Sequence, residues 1–337
     1  MYNVLFTSAG RRSYLVQYFR QALKGQGSVI CANMYPDAPA MYAADLAFVT
    51  PPAHDSSYVS VILDLCLRNN VKLLFSLHDL DVYVLSQHQR EFQKAGVVAV
   101  LPCAHWGRVA LDKYESTVLL QQNGFNVPWT SIDLSDSLSA INQGSLRLPV
   151  IVKARMGFGS LGLRICYTVE ELRRAYDTVL HRVCSSGINR SFAFPETHSV
   201  LIQQVIKGKE YCIDVVNDLN GCYVCHFICE IHAMRAGESD KATTVDPVIA
   251  GDIPFQLSTL TRHKGIWGID CMNDQGVLRV IDINPRFTGD YPFHQLAGAN
   301  IPAALLAWAQ GNEVDPKWLE AKAGVRGYKE LVPTLVP

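Results

Sequence analysis

The stretch VIDINPRFTG, residues 280–289, begins as a buried strand, with Val280, Ile281 and Ile283. Asp282 and Asn284 stand at alternate positions, so their side chains share one face of that strand. Pro285, Arg286 and Gly289 then end it. Just upstream, GIDCMNDQG carries Asp270 ahead of a turn at Asn273 to Gly276, which joins the two runs as a hairpin. Asp270 and Asp282 then face each other on paired strands, with Asn284 beside them. Three oxygen donors at one hairpin end suit magnesium, with nucleotide phosphates completing the shell. A surface hairpin with solvated acids is the plainer alternative. It fits less well, because Ile281 and Ile283 put the opposite face in a core, and acids so flanked are costly unless a cation pairs them.

Upstream, Lys153 ends the apolar strand VIVK and precedes ARMGFGSLG. Glycines 157, 159 and 162 let backbone amides approach an anion closely. A lysine beside such a loop supplies a point charge for phosphates. The spacing is not that of a Walker loop, and a plain turn looks similar.

The first hundred residues alternate strand and helix. NVLFTSAG is strand and glycine turn, followed by an amphipathic helix from Ser13 to Leu23. SVICANM, VKLLFSL and GVVAVLP are further strands, with helices over SSYVSVILDLCLRNN and DVYVLSQHQREFQKAG. The alternation predicts a Rossmann-like parallel sheet with helices on both faces. Ligands of such sheets sit outside the carboxyl ends of the strands. Ser8, Gly10, Arg11, Arg12, His78, Asp79 and Asp81 are the substrate-site candidates there. G-x-G-x-x-G is absent, so no dinucleotide is inferred. Arg11 and Arg12 at a helix start suit an anion, and an ordinary solvated helix start explains them equally.

A linker follows, then a helix over DKYESTVLLQQ ended by Asn123-Gly124. RLPVIVKARMGFGSLGLRICYT is strand, loop, strand. TVEELRRAYDTVLHRV is a helix opened by a capping box of Thr168 and Glu171. SVLIQQVIKGKEYCIDVVND is strand, turn, strand. The polar segment from Met234 to Asp252 is expected as a loop over the site. A last apolar helix covers AGANIPAALLAWAQG. There is no internal repeat.

The charges nearly cancel, 30 Lys and Arg against 31 Asp and Glu, so no global field calls for nucleic acid or an anionic membrane. No apolar run reaches about eighteen residues, and the N-terminus lacks the pattern of a signal peptide. Ten cysteines without a leader point to a reducing compartment, the cytoplasm. Cys222-Tyr-Val-Cys225-His226, with Cys229 beyond, matches a haem-attachment spacing. A strand leaving the turn DLNG, with cysteines as small core residues, accounts for it better than haem or zinc.

In order, DK (112–113), PVIVKARMGFGSLGL (149–163), LIQQVIKGKEYCIDVV (201–216), GIDC (268–271) and VIDINPRFTGDYP (280–292) resemble the ATP-grasp carboxylate–amine ligases. Within these, the chain most resembles carbamoyl-phosphate-synthase-like ligases with a single ATP-grasp unit. The resemblance implies a pre-ATP-grasp α/β domain at 1–104 and an ATP-grasp fold of two α+β subdomains at 105–310. The smaller lid part spans about 105–200 and the C-terminal part 200–310, with a tail at 311–337. It implies ATP held by Lys113, Lys153, Gly157, Gly159 and Ser160, with Gln203, Gln204, Val205 and Ile206 as the adenine hinge and Glu210 on the ribose. It implies Asp270, Asp282 and Asn284 as ligands of Mg2+, two ions, with Mn2+ as an alternative. Arg286 falls near the reacting carboxylate, and Arg235 and Lys241 on the expected loop are further catalytic candidates. The metal positions are aspartates where the family often has glutamates.

The reading is an ATP-dependent ligase joining a small carboxylate, an amino acid among the options, to an amine through an acyl phosphate. A kinase or carboxylase on the same scaffold, and a nucleotide-binding regulatory subunit, are the alternatives. The absence of a further C-terminal domain speaks against bicarbonate. The expected partners are small molecules, with no nucleic acid and no membrane, and a homodimer is left open.

Overall fold

The computed structural model describes residues 1–156, 162–186 and 194–332. In the first part, β1 (Asn3–Thr7), α1 (Ser13–Leu23), β2 (Val29–Asn33), α2 (Pro39–Ala43), β3 (Leu46–Val49) and α3 (Tyr58–Arg68) lead to β4 (Val71–Ser76). Two helices, α4 (Asp79–Ser86) and α5 (Gln89–Lys94), then precede β5 (Val98–Val100). All five strands are parallel, in the order β3-β2-β1-β4-β5. The central strand is covered on both sides, as its unbroken apolar sequence requires. Val4 and Phe6 pack with Leu15, Phe19 and Leu23 of α1. Leu5 packs oppositely with Tyr58 and Ile62 of α3.

Two details differ from expectation. The sheet has a fifth strand, β3, whose apolar run LAFV is only four residues long and mostly exposed at the sheet edge. The helix expected over 81–96 is divided, since the Ser86 hydroxyl donates to the Tyr83 carbonyl (2.7 Å) and competes with helix continuation.

The expected linker is helical. Trp106, Val109 and Ala110 of α6 (Ala104–Leu111) pack into a core under the last sheet. Next come α7 (Lys113–Gln122), β6 (Thr130–Ser131), α8 (Leu134–Asn142), β7 (Val150–Ala154), β8 (Arg164–Cys166), α9 (Val169–Ser186) and β9 (Val200–Gln204). Their antiparallel sheet runs β6-β9-β7-β8, with α8 and α9 on one face. The Glu171 amide donates to the Thr168 hydroxyl (3.1 Å) as the capping box requires, and the Glu171 carboxylate accepts from the Tyr167 amide (2.6 Å).

The third sheet contains β10 (Glu210–Asn217), β11 (Tyr223–Arg235), β12 (Glu238–Val245), β13 (Ile266–Asp274), β14 (Val277–Asn284) and β15 (Arg326–Tyr328). Three helices accompany it: α10 (Ile253–Thr261), α11 (Tyr291–Leu296) and α12 (Ile301–Gln310). Its order is β14-β13-β10-β11-β12-β15, antiparallel throughout. The segment 234–252, expected as a loop, is largely a hairpin that turns at Ala236 and Gly237, both at positive φ. Ala242 and Thr244 are buried on its return strand, so small and β-branched side chains outweigh the polar composition. The segment expected as a tail adds β15 to this sheet beside β12.

The registers place the site. Asp270 pairs with Asp282, and Gly268 with Asn284. The pairing then shifts so that Cys271 meets Val280, which leaves Ile281 as a β-bulge. Val280 and Ile283, rather than Ile281, enter the core on the far face. Phe287 and Tyr291 reach back into the first core, with Phe287 at 6.0 Å from the Phe19 ring and 5.9 Å from Phe75. This locks the segment after β14 onto the first sheet. Among the described residues, no helix is long and apolar enough to cross a membrane.

Candidate functional site

Glu210 and Cys212 of β10, Asp270 of β13, and Asp282 and Asn284 of β14 lie on the sheet face opposite that core. Asn284 Nδ2 donates to Asp270 Oδ2 at 2.9 Å. Burial pushes the Asp270 carboxyl up to about 8, and the nearby charges of Asp282, Asp290 and Glu210 add to the rise. This place gathers more negative charge than its own cations balance.

Two lysines face it. Lys113 opens α7, whose N-cap Asp112 accepts from the Tyr114 and Glu115 amides, each at 3.1 Å. Asp112 is also held by Arg155, at 2.8 Å from Nε and 2.6 Å from Nη2, which fixes the start of the helix to the end of β7. From there Lys113 Nζ reaches Asp282 Oδ2 at 2.7 Å. Burial opposes its charge, but Asp282, Asp79 and Asp270 outweigh burial and raise its pKa. Lys153 Nζ donates to Gln203 Oε1 at 2.9 Å. Burial, and then the charge of Lys113, push its ammonium down to about 8.

The Gln203 amide in turn donates to the Thr130 hydroxyl (3.0 Å), and Gln204 bonds Trp129 through its backbone amide (2.9 Å). Among the described residues, no hydrogen bond engages the main-chain groups of Val205 or Ile206, between β9 and β10. Glu210 follows, and burial and then Asp290 raise its pKa.

The first sheet contributes one wall. Arg286 donates through Nε to Asp79 Oδ1 (2.6 Å) and through Nη2 to Asp79 Oδ2 (3.0 Å). Nη2 also donates to Asn284 Oδ1 (3.2 Å), and Nη1 to the Phe287 carbonyl (3.2 Å). Burial works against both charges, yet the pairing holds Asp79 down to about 2 and moves Arg286 above its usual range. Arg12 Nε donates to Glu238 Oε1 (3.0 Å), and its Nη1 to the Leu77 carbonyl (2.8 Å). Arg12, Glu210, Glu238, Asp270, Arg286 and Asp290 line one small cavity of about 80 Å³.

The other expected residues lie apart from it. Asp81 is buried and accepts from Ser8 Oγ (2.5 Å) and the Tyr58 hydroxyl (2.7 Å), with His78 Nδ1 at 3.3 Å. These groups brace the strand ends, and Gly10 makes the turn at positive φ. Arg11 reaches the Ala236 carbonyl at the hairpin tip (3.3 Å). Arg235 pairs with Asp240 and donates to the Lys329 carbonyl (2.9 Å), while Lys241 is exposed outside the cavity. Gly157, Gly159 and Ser160 lie outside the described residues. In the cysteine run, Cys229 is buried, Cys225 is partly buried on the same face, and Cys222 precedes the strand and is exposed.

Sequence reasoning missed Cys212, Glu238, Ser239 and Asp290, all of which line the cavity. Cys212 carried a signal, since it shares the strand face of Glu210 two residues earlier. Asp290 sat within the quoted motif but was given no role there. Glu238 was assigned to a loop.

The donor set fits a hard divalent cation, since Asp270, Asp282 and Asn284 offer oxygen alone and Asp270 is crowded by like charge. Gly268 is required in this set: a Cβ there would come 1.9 Å from Thr288 Cγ2, which closes over the sheet.

Residues 110–290 match the family described as the ATP-grasp domain, and residues 4–100 the one described as the PylC-like, N-terminal domain. The chain is 28% identical over 191 residues to the carbamoyl phosphate synthase large chain of Methanosphaerula palustris, a match covering 52% of this chain and 16% of that protein. It is 23% identical over 245 residues to D-alanine–D-alanine ligase A of Bacillus cereus, covering 66% and 76%. The chain thus spans about a sixth of the carbamoyl phosphate synthase chains it matches. Among solved structures it is similar to the biotin carboxylase domain of Hydrogenobacter thermophilus 2-oxoglutarate carboxylase, crystallised with MgADP and bicarbonate. The TM-score is 0.71 and the identity 18%, over 93% of this chain and 70% of that one. L-amino acid ligase from Bacillus licheniformis gives 0.68 at 16% identity, over 95% and 78%. At these identities the likeness is one of fold.

Proposed function

The chain belongs to the ATP-grasp family, and from that premise we propose that it is an ATP-dependent carbon–nitrogen ligase. It joins a small carboxylate to an amine through an acyl phosphate and releases ADP and phosphate. The observation that carries this reading is the facing of Asp270, Asp282 and Asn284 by Lys113 and Lys153 across one cleft.

Adenine meets the main-chain groups of Val205 and Ile206 at the hinge, and Glu210 takes the ribose. Asp270, Asp282 and Asn284 would hold Mg2+, one ion or two, with Mn2+ as a substitute, and the metal would supply charge neutralisation at the phosphates. Lys153 sits in a low-dielectric place where its charge is penalised, so an arriving phosphate restores it. Lys113 exchanges Asp282 for phosphate oxygens. Both lysines then stabilise negative charge on the transferring phosphoryl group, the main demand of this chemistry. A carboxylate oxygen attacks that group, and ADP leaves. The amine nitrogen attacks the activated carbonyl, and phosphate departs with its electron pair.

Arg286 is anchored by Asp79, holds Asn284 and lines the cavity, and one of its five N–H donors is unused among the described hydrogen bonds. It therefore orients a metal ligand and offers a donor to the carboxylate. Arg235 and Lys241 have no part in this mechanism. The reaction test is a screen of amino acids, simple carboxylates and bicarbonate with amines. ADP release is followed, with mass detection of product. Amide formation supports the ligase, and a carboxylated or phosphorylated product moves the assignment to the carboxylase or kinase alternative.

A further inference from the structure

Asp290 stands at the start of α11 and is 7% exposed. Its backbone amide is spent on Thr288 Oγ1 (3.1 Å), yet its Oδ1 is buried without a hydrogen-bond partner. It lines the same small cavity as Asp270, Asn284 and Arg286. The cavity's two guanidiniums are already engaged, Arg12 with Glu238 and Arg286 with Asp79. A third cation, Lys329, lies 3.5 Å from Glu238. Asp290 thus faces the cavity with no ion pair among the described residues, and a buried carboxylate is costly unless a cation pairs it.

We propose that Asp290 receives the ammonium group of an amino-acid substrate whose carboxylate lies beside Arg286 and Asn284. The proposal rests on the ligase reading for which carboxylate is activated, and it adds that this carboxylate belongs to an amino acid. The cavity, about 80 Å³, has room for a few water-sized groups, which suits an ammonium on a short carbon stem. A second magnesium is the competing occupant, because oxygens of Asp290 and Asp270 and the Cys212 sulfur lie within 4.8 Å of one another. The third member of that group argues against it. A thiol is a poor ligand for a hard cation such as magnesium. Cys212 and Ser239 line the same cavity beside Asp290.

The test is titration calorimetry on the full chain with MgADP present. Each standard L-amino acid, and D-alanine, is compared with the same acid lacking the amino group, as alanine with propionate. We expect at least one amino acid to bind roughly tenfold more tightly than its counterpart, a preference that Asp290→Asn removes while MgADP affinity is unchanged. Asp290→Glu keeps the charge and retains part of the preference, which covers a failure of the asparagine variant to fold. The proposal is overturned if no amino acid outbinds its counterpart, if Asp290→Asn keeps the preference, or if it weakens MgADP equally. ADP release separates the two readings. A binding preference without turnover ends the ligase reading and leaves this subsite standing. Equal turnover of acids with and without the amino group does the reverse.

Discussion

The Arg286 guanidinium grips Asp79 with two hydrogen bonds, 2.6 and 3.0 Å, and so ties the end of β14 to the start of α4 on the first sheet. The same guanidinium holds Asn284. A metal ligand is therefore positioned by an acid more than two hundred residues away in sequence, at a strand end where substrates of parallel sheets sit.

Asp79→Ala leaves Arg286 largely buried without its partner. We expect a loss of about 3–5 kcal/mol in unfolding free energy, and Asp79→Asn to lose less. Because the folded carboxyl is held at about 2, its contribution is full above roughly pH 4 and disappears as the pH falls through about 2. Urea unfolding at pH 7 and pH 3 measures both effects. A difference between wild type and Asp79→Ala that does not shrink at low pH counts against the pairing.

Lys153→Ala should raise the ATP dissociation constant roughly ten- to a hundredfold, the worth of one charge-assisted hydrogen bond. With the ammonium at about 8, wild-type affinity should fall as the pH rises from 7 to 9, and the variant should lose that dependence. Fluorescent-nucleotide titrations at the two pH values decide it. Equal affinities for wild type and variant would remove Lys153 from the phosphate site.

Asp282→Asn should keep its circular dichroism and lose roughly a hundredfold or more in ADP release. Asp270 makes the metal site pH-dependent. Its folded pKa, about 8, is raised, so its contribution to the metal-free fold is full below about pH 4 and is lost as the pH rises through 8. Magnesium should offset that loss, raising the melting temperature more at pH 8.5 than at pH 6. The same increment at both pH values, or an increment kept by Asp270→Asn, speaks against a metal at this pair.

Cys222, Cys225 and Cys229 should bind neither haem nor zinc. Cys222 and Cys103 are exposed and should react with a thiol reagent in the native state, whereas Cys229 and Cys271 should react after unfolding. Stoichiometric zinc by elemental analysis, lost in Cys225→Ser, overturns this expectation.

The hairpin around Asp270 and Asp282 was legible because residue type and the two-residue period of a strand coincide there. The bulge at Ile281 was not, since a register shift depends on the partner strand. The hairpin over 234–245 was hidden by its polar sequence, in which Glu238 finds its partners, Arg12 and Lys329, in distant parts of the chain. The same distance concealed Asp290. It meets the site only when Cys212 of β10 and Glu238 and Ser239 of β12 are brought against it. Strand β3 escaped notice because its apolar run, LAFV, is only four residues long.

The central claim is that a carboxylate is activated as an acyl phosphate. Once the screen identifies a substrate, its carboxylate oxygens are labelled with oxygen-18 and the released phosphate is analysed by mass spectrometry. The account expects one labelled oxygen in each phosphate, transferred when the amine displaces it from the carbonyl. Phosphate formed at the same rate but free of label would contradict the account, because the carboxylate would never have carried the phosphoryl group.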